Sequence, residues 1–598
     1  ITDCLQNLIL DGIPRELVDS SLHQLEIRQR EITGSGMPFG LQIMLTCLPA
    51  CIHNDDPLNI LDLDNAFNVI KERLNQKNYI ESLIEKHLIN NPHKLNYSLV
   101  PDTEFNRRNE DAIIEKVHQK TKSLSVDDKN KIVALAEALE KRQERIDDPE
   151  ILPKVTKEDI PLSRNYPNPN LSIVNNIENY FYKSGTNGLV YHSMLFPCEA
   201  LTIDELKIAS LFTSSLTDIG LGSDSYEDVQ KYQSSITGGI SASFTMIPNK
   251  GDSEHKLALK ISGKSLEKNA HLMQDLMIRT VQEANFGEHQ RIQELLSFIS
   301  ADNEQSLTQN GHVLAMANAA SQLTEVASTN DLTSGIRFIN NTGLLSKNIS
   351  DEGSLDIYIK NLKSIQSKIS LTPKNIFTAS SLNPDEMDLK SFSGLNAADV
   401  DEQNFIKVQD KSIGWITGSQ VCFCAEAFLT VDSSHEDAPA LSVLGTVLRN
   451  GYLHSAIREK GGAYGAGAMQ DSNNKVFKFF SYRDPKCSET FSEFNNAREW
   501  SLKNITNAHL DEGVLGVISS IDKPMSPYGE AMSDFMSELD HRTQEDRLLF
   551  RNKVKECSID DLIRVSKKYL FNESKKSIIA GESFQDEIKD LGFNLKNI

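Results

Sequence analysis

Two spacings of apolar residues alternate along this chain: steps of three and four that mark helices, and strict alternation that marks strands. Residues 13–33 place Ile13, Leu17, Leu22, Leu25 and Ile27 among charges, which predicts an amphipathic helix, and a second helix is expected over 41–48. The run Lys94-Leu95-Asn96-Tyr97-Ser98-Leu99-Val100 reads as a strand that Pro101-Asp102 closes. Over 105–148 the texture changes to dense charges of both signs. Ile113, Ile114 and Val117 form one helical stripe, and Ile132, Leu135, Ala136 and Leu139 form another. Ser125-Val126-Asp127-Asp128 sits between them as turn and cap, so a helical hairpin is expected. Pro149, Pro153, Pro161, Pro167 and Pro169 then mark an extended connector.

Beyond the connector, two segments share one order: strand, helix, short helix, Gly-Gly, strand. The first has a strand over 188–197, a helix over 203–219, the segment 225–235, Gly238-Gly239 and a strand over 240–247. The second has an opening strand within 413–431, a helix over 438–448, a short helix over 454–460, Gly461-Gly462 and a strand over 463–469. Each ends in amphipathic helices, over 264–284 and 287–299 in the first and over 510–519 and 540–554 in the second. An internal duplication of α+β domains accounts for this order.

Composition narrows the function classes. At about 150 residues per domain, 598 residues suggest roughly four domains, and 39% apolar with 24% charged residues fits a folded globular chain. The longest nearly apolar stretch, 41–52, is broken by Thr46 and Pro49 and is shorter than the ~20 residues a bilayer span needs, so no membrane span is expected. Lys plus Arg number 62 against 84 Asp plus Glu, and the formal charge of -22 argues against a nucleic-acid partner. The eight cysteines include no Cys-x-x-Cys pair. Cys47 and Cys51 stand one helical turn apart, and Cys422 and Cys424 share one face of a strand. They read as buried free thiols of a reducing compartment, because a thiolate metal site needs further Cys or His ligands at fixed spacing and none appears. The opening Ile1-Thr2-Asp3-Cys4 has no signal-peptide pattern, and nothing precedes the first helices to cover their apolar faces. The chain is therefore expected to begin inside a domain of a longer protein.

The stretch richest in chemistry is 453–468. His454 and Arg458 are i and i+4 on a helix and so project from one face. Gly461 and Gly462 are expected to end that helix as a left-handed cap. In the strand that follows, Tyr464, Ala466 and Ala468 should share one face, and the small residues suit a close backbone approach. An Arg, a His and a Tyr would then surround an open slot. Blander readings stay open: a simple Gly bend, an Arg458–Glu459 surface pair, an ordinary helix-end histidine. A phosphate loop fits poorly, since no Lys-Ser/Thr follows the glycines, and a dinucleotide fingerprint fits poorly, since the glycines follow a helix.

Arg458-Glu459-Lys460-Gly461-Gly462-Ala463-Tyr464-Gly465 resembles the Arg…Tyr signature in the carboxy-terminal half of presequence proteases, zinc metallopeptidases of the pitrilysin/insulinase class. His23-Gln24-Leu25-Glu26, Asn91-Pro92-His93-Lys94, Ser225-Tyr226-Glu227-Asp228 and Thr237-Gly238-Gly239-Ile240-Ser241 extend the resemblance, in order, over essentially the whole chain. It implies an α+β protein of tandem pitrilysin-like α/β sandwich domains preceded by a helical hairpin linker. The end of the second domain would occupy 1–102, the hairpin and connector 103–160, the third domain 161–395 and the fourth 396–598. It also implies a clamshell that degrades unfolded peptides, with zinc held by an amino-terminal half through an inverted His-x-x-Glu-His motif and a distal Glu. This chain departs there. None of its 14 histidines lies in such a motif, and His435-Glu436 and Glu288-His289 are the nearest fragments. No zinc is therefore expected in this chain, and no cleavage by it alone.

The resemblance assigns Tyr464 and Arg458 to the scissile carbonyl as catalytic groups, with His454, Gly461 and Gly462 beside them in substrate binding. The implied partners are the amino-terminal catalytic half and short unfolded peptides. The implied compartment is a bacterial cytoplasm, mitochondrial matrix or plastid stroma. The alternative is a non-catalytic peptide-binding or scaffold subunit of the same fold.

Overall fold

The structure, a computed structural model, describes residues 1–33, 37–144, 151, 153–248, 255–349, 351–387, 389, 403 and 412–598. The boundary expected between residues 395 and 396 and the connector residue Pro149 lie outside the described residues. The chain forms two compact units, 1–13 with 72–156, and 14–71 with 157–598.

In the first unit, helix Thr2–Asp11 packs on the turns Tyr79–Ile84 and Glu85–Ile89, and the Ile13 N–H donates to Glu81 Oε1 at 3.0 Å. The expected hairpin is present as helices Phe105–Ser123 and Val126–Glu144. Ser125 Oγ accepts the Asp128 N–H at 3.1 Å while the Asp128 carboxylate accepts the Ser125 hydroxyl at 2.7 Å, a reciprocal cap that starts the second helix. The expected strand over 94–100 does not form. Leu95, Tyr97, Leu99 and Val100 are exposed, and no neighbouring strand among the described residues takes up its backbone hydrogen bonds. Alternation suits a pleated surface but does not create one.

The second unit is built, in its described residues, on two six-stranded sheets. The first contains β1 (Asn170–Val174), β2 (Ile177–Lys183), β3 (Leu189–Cys198), β4 (Ile240–Pro248), β5 (His255–Leu266) and β6 (Asn375–Ser380) in the order β1-β2-β6-β3-β5-β4. The second contains β7 (Ile413–Thr417), β8 (Phe423–Leu429), β9 (Gly465–Asp471), β10 (Val476–Tyr482), β11 (Ser574–Gly581) and β12 (Asn594–Asn597) in the order β12-β7-β11-β8-β10-β9. The orders superpose strand for strand. β2 runs parallel to β6 as β7 does to β11, and the remaining inner pairs are antiparallel in both. The copies differ at one edge, where β1 lies antiparallel to β2 but β12 lies parallel to β7. The duplicated α+β architecture is thus present, with local departures from the expected elements. The opening strand of the second copy is two strands, β7 and β8. The helix expected over 203–219 breaks into Ile203–Leu206 and Ala209–Leu216. The helix expected over 264–284 covers Ala270–Gln282, because its first residues still belong to β5.

Strands buried on both faces explain the continuous apolar runs of β3 and β8. On β3, Val190, Met194 and Phe196 face helices of their own copy, whereas Leu189, Tyr191 and Leu195 face helix Pro527–Leu539 from the other copy. That helix inserts Ala531, Phe535 and Leu539 beside Tyr180, Tyr182 and Phe377, and Tyr528 stacks on Tyr191 at 4.3 Å. The reciprocal contact comes from helix Gly311–Ser321, which lies on β8, β10 and β11. It approaches so closely that a Cβ on Gly311 would stand 2.4 Å from the Phe423 ring. Asn318 on this helix is buried, and its Oδ1 accepts Trp415 Nε1–H at 3.2 Å and the Ser577 hydroxyl at 2.9 Å.

One ion pair fixes the second of these helices. Asp534 is fully buried and accepts from Arg547 Nη2 at 2.5 Å and from the Tyr182 hydroxyl at 2.9 Å. Truncating it leaves a buried guanidinium short of its counter-charge, so Asp534→Ala should cost about 3–5 kcal/mol, read from the urea midpoint of unfolding. A loss below about 1 kcal/mol, the range of exposed pairs, would show that the pair does not anchor the helix.

Candidate functional site

Helix Ala438–Leu448 runs without a break into the wider-wound turn Arg449–Lys460, so the short helix expected over 454–460 is its continuation. Leu453 and Ile457 are buried beneath it, which turns His454 and Arg458 outward. Arg458 Nη1 lies 3.3 Å from His454 Nε2, and His454 Nδ1 lies 3.5 Å from Glu459 Oε1. Among the described residues Arg458 itself forms no ion pair. The helix stops in a Schellman arrangement: the Ala463 N–H donates to the Ile457 carbonyl and the Gly462 N–H to the Arg458 carbonyl, each at 3.1 Å.

The two glycines serve different ends. Gly462 holds φ +87°, in the left-handed region, whereas Gly461 stays right-handed at φ -78°. Gly461 is needed for space, since a Cβ there would stand 2.4 Å from the Ile457 carbonyl oxygen. The left-handed cap is thus one residue, not the pair.

The reversal delivers Tyr464 to the start of β9. Its N–H donates to the Tyr482 carbonyl at 3.1 Å, and its ring stands edge-on to Tyr482 at 5.6 Å. Arg458 lies 6.0 Å from the Tyr464 ring centroid. His454, Arg458 and Tyr464 therefore form one contiguous row on the surface. The expected sharing of a face by Tyr464, Ala466 and Ala468 fails in burial. Ala466 and Ala468 are 7% and 6% exposed but Tyr464 is 66% exposed, because the paired strand begins only at Gly465. The small residues of β9 do match a close approach, which comes from two sides. The Phe480 ring would meet a Cβ on Gly467 at 2.9 Å, and the Met469 backbone would meet one on Gly445 at 3.0 Å.

The first copy carries the same turn in a different state. Gly239, with φ +108°, precedes β4 there. Helix Arg15–Arg30 covers that turn: Gln24 Nε2 donates to the Thr237 carbonyl at 2.6 Å, and Ile27 packs on Gly238. In the second copy the equivalent turn presents Arg458 and Tyr464 to solvent.

The row does not suit a zinc ion. It offers one imidazole and one neighbouring carboxylate with a guanidinium between them and the phenol, and a catalytic zinc needs three neutral or anionic ligands around it. The two motif fragments have structural duties. His435 Nδ1 accepts the Asp437 N–H at 3.0 Å, and Glu288 accepts the N–H groups of Gly220 and Tyr226 at 2.7 and 3.1 Å. A second cluster escaped the sequence reading. Cys422 and Cys424 lie on one face as expected, with sulfurs 3.9 Å apart, and the fold brings Cys487 to them. The apparent lack of a further thiol partner is corrected here. No spacing signal could have found Cys487, which arrives from the start of a distant helix, Ser488–Ser501.

Comparisons with known proteins agree with this architecture. Residues 99–344 match the family described as associated with peptidase M16, subfamily C, and 415–581 match the PreP C-terminal domain. The mitochondrial presequence protease of Yarrowia lipolytica is 27% identical over 97% of this chain and 59% of its own length. Those of Drosophila melanogaster and Danio rerio are each 26% identical over 95% of this chain, and over 55% and 58% of their own lengths. The chain thus spans less than two thirds of the length of these relatives. Among solved structures, a protease from Helicobacter pylori aligns with 70% of this chain and all of its own at TM-score 0.47 and 15% identity. A peptidase M16 inactive domain from Pseudomonas fluorescens aligns with 69% of this chain and 98% of its own at TM-score 0.47 and 15% identity. The class is that of the M16 metallopeptidases. Within it, the chain is presequence-protease-like and corresponds to the carboxy-terminal portion of such proteins.

The helix stop sets the geometry of the row, and its conformational demand is testable. Gly462→Ala forces a Cβ into the left-handed region and should cost about 1–2 kcal/mol. Gly462→Asn should cost less, because Asn tolerates that region. Equal losses in chemical denaturation for the two variants would overturn the assignment.

Proposed function

We propose that this chain is the peptide-binding half of a zinc metalloendopeptidase that degrades unstructured oligopeptides of the targeting-peptide type, and that it cuts nothing by itself. The observation that carries the reading is the exposed row His454–Arg458–Tyr464, held at the mouth of a Schellman turn and left open in this copy of the fold alone. The partner is an amino-terminal half that holds the zinc. The proposed domains are the end of a second pitrilysin-like domain over 1–102, the hairpin and connector over 103–160, and third and fourth domains over 161–395 and 396–598.

The chemistry of the row suits a peptide. During hydrolysis negative charge builds on the scissile carbonyl oxygen, and the Tyr464 hydroxyl is a donor for it. Arg458 keeps its charge at any physiological pH and presents a rigid fork of donors that grips a substrate carbonyl. The imidazole of His454 lies against that fork and limits its swing. The formal charge of -22 favours basic peptides. No helix among the described residues is long and apolar enough to cross a membrane. The relatives carry the word mitochondrial in their names, and the free cysteines suit a reducing compartment, so a matrix-type location is proposed.

Tyr464→Phe keeps the ring and its edge contact with Tyr482 but removes the donor. In the enzyme assembled with its amino-terminal half, kcat should fall about 100- to 1000-fold, with zinc content and peptide Kd unchanged. An unchanged kcat would remove the assigned role and leave the chain as a peptide-binding scaffold.

A further inference from the structure

We propose that Cys422, Cys424 and Cys487 form a trigonal thiolate site for one soft monovalent metal ion of the copper(I) class. The three side chains are fully buried, and their sulfurs all lie within 4.8 Å of one another. A metal ion bound at about 2.3 Å to three coplanar sulfurs sets them about 4 Å apart, and the Cys422–Cys424 separation is already 3.9 Å. The remaining closure is small, and it falls on Cys487 at the first turn of helix Ser488–Ser501.

The donor set selects the ion. Thiolates favour soft cations, and among them zinc completes a tetrahedron, whereas copper(I) is satisfied by fewer ligands. Among the described residues no fourth His, Cys, Asp or Glu ligand joins the group. The nearest carboxylate in sequence, Asp484, is engaged with the Thr490 hydroxyl and the Lys486 N–H. Cys422 Sγ donates to the Lys486 carbonyl at 3.2 Å, so one thiol proton has an acceptor beside the site. Hydrogen bonds from Cys422 and Cys424 bring the Cys487 thiol down to about 6, which makes it the first sulfur to ionise. Burial pushes Cys424 the other way. Metal binding would displace the thiol protons to solvent with no change in oxidation state. A route exists: a cavity of about 470 Å³ is lined by Lys486, Glu489 and Thr490, which flank Cys487 in the chain.

The test uses the whole reduced chain under anaerobic conditions, titrated with copper(I) against a competing copper(I) chelator and, separately, with zinc(II). One copper(I) per chain is expected, with a thiolate charge-transfer band in the near ultraviolet and three sulfur neighbours by X-ray absorption at the copper edge. Zinc(II) should bind at least about 100-fold more weakly. Cys487→Ser should weaken copper(I) binding by more than about 100-fold, beyond the 10- to 100-fold typical of outer-shell partners. Cys198→Ser, which alters a buried thiol of the first copy, should leave binding unchanged. Failure to take up copper(I), fewer than three sulfur neighbours, a preference for zinc(II), or binding unaffected by Cys487→Ser would each overturn the proposal. The absorption measurement uses the unaltered chain, so it decides the matter even if Cys487→Ser fails to fold.

Discussion

The second unit depends on an exchange of helices between two copies of one fold. Each sheet has two apolar faces, and the helices of its own copy cover only one. Gly311–Ser321 closes the second sheet and Pro527–Leu539 closes the first. Each large side chain buried in this way contributes about 1.5–3 kcal/mol, so a copy without its partner would leave Tyr191, Phe377, Phe423 and their neighbours in water. Two polar anchors give the exchange its register. Asn318 joins Trp415 and Ser577, and Asp534 joins Tyr182 and Arg547. Buried polar groups tolerate little sliding, because each partner lost leaves an unsatisfied atom.

With the copies locked, their differences acquire functional meaning. Both copies lead through a left-handed glycine into an edge strand, β4 or β9. In one, the turn is a docking point for helix Arg15–Arg30. In the other, the preceding helix continues unbroken to Lys460 and presents a guanidinium and a phenol to solvent. A duplicated scaffold has one copy of a turn free for chemistry when the other is used for packing. The Cys422–Cys424–Cys487 group lies in the same copy but in its interior, and answers to separate chemistry.

Much of this was legible in order along the chain. The hairpin stripes of Ile113 to Val117 and Ile132 to Leu139 gave two helices and a Ser125 cap, because helix periodicity and capping are local properties. The repeated Gly-Gly marked both turns for the same reason. The run 94–100 misled, because a strand exists only with a partner. The helix over 203–219 broke because packing on the sheet overrides a continuous apolar period. Strands β5, β6, β10 and β11 went unread, since residues buried on both faces lose the alternation that announces a strand.

By itself the sequence determined the local grammar: which segments coil, where they stop, and that His454, Arg458 and Tyr464 fall within one helix–turn–strand. It also determined the resemblance that the comparisons bear out. Tertiary structure alone decided that Tyr464 faces solvent while Ala466 and Ala468 do not, that only Gly462 needs the left-handed region, and that Cys487 meets Cys422 and Cys424. Local patterns record the conformation of neighbours in the chain. Burial and meeting across the fold depend on which surface arrives from elsewhere, and here that surface comes from the other copy or from a helix many residues away.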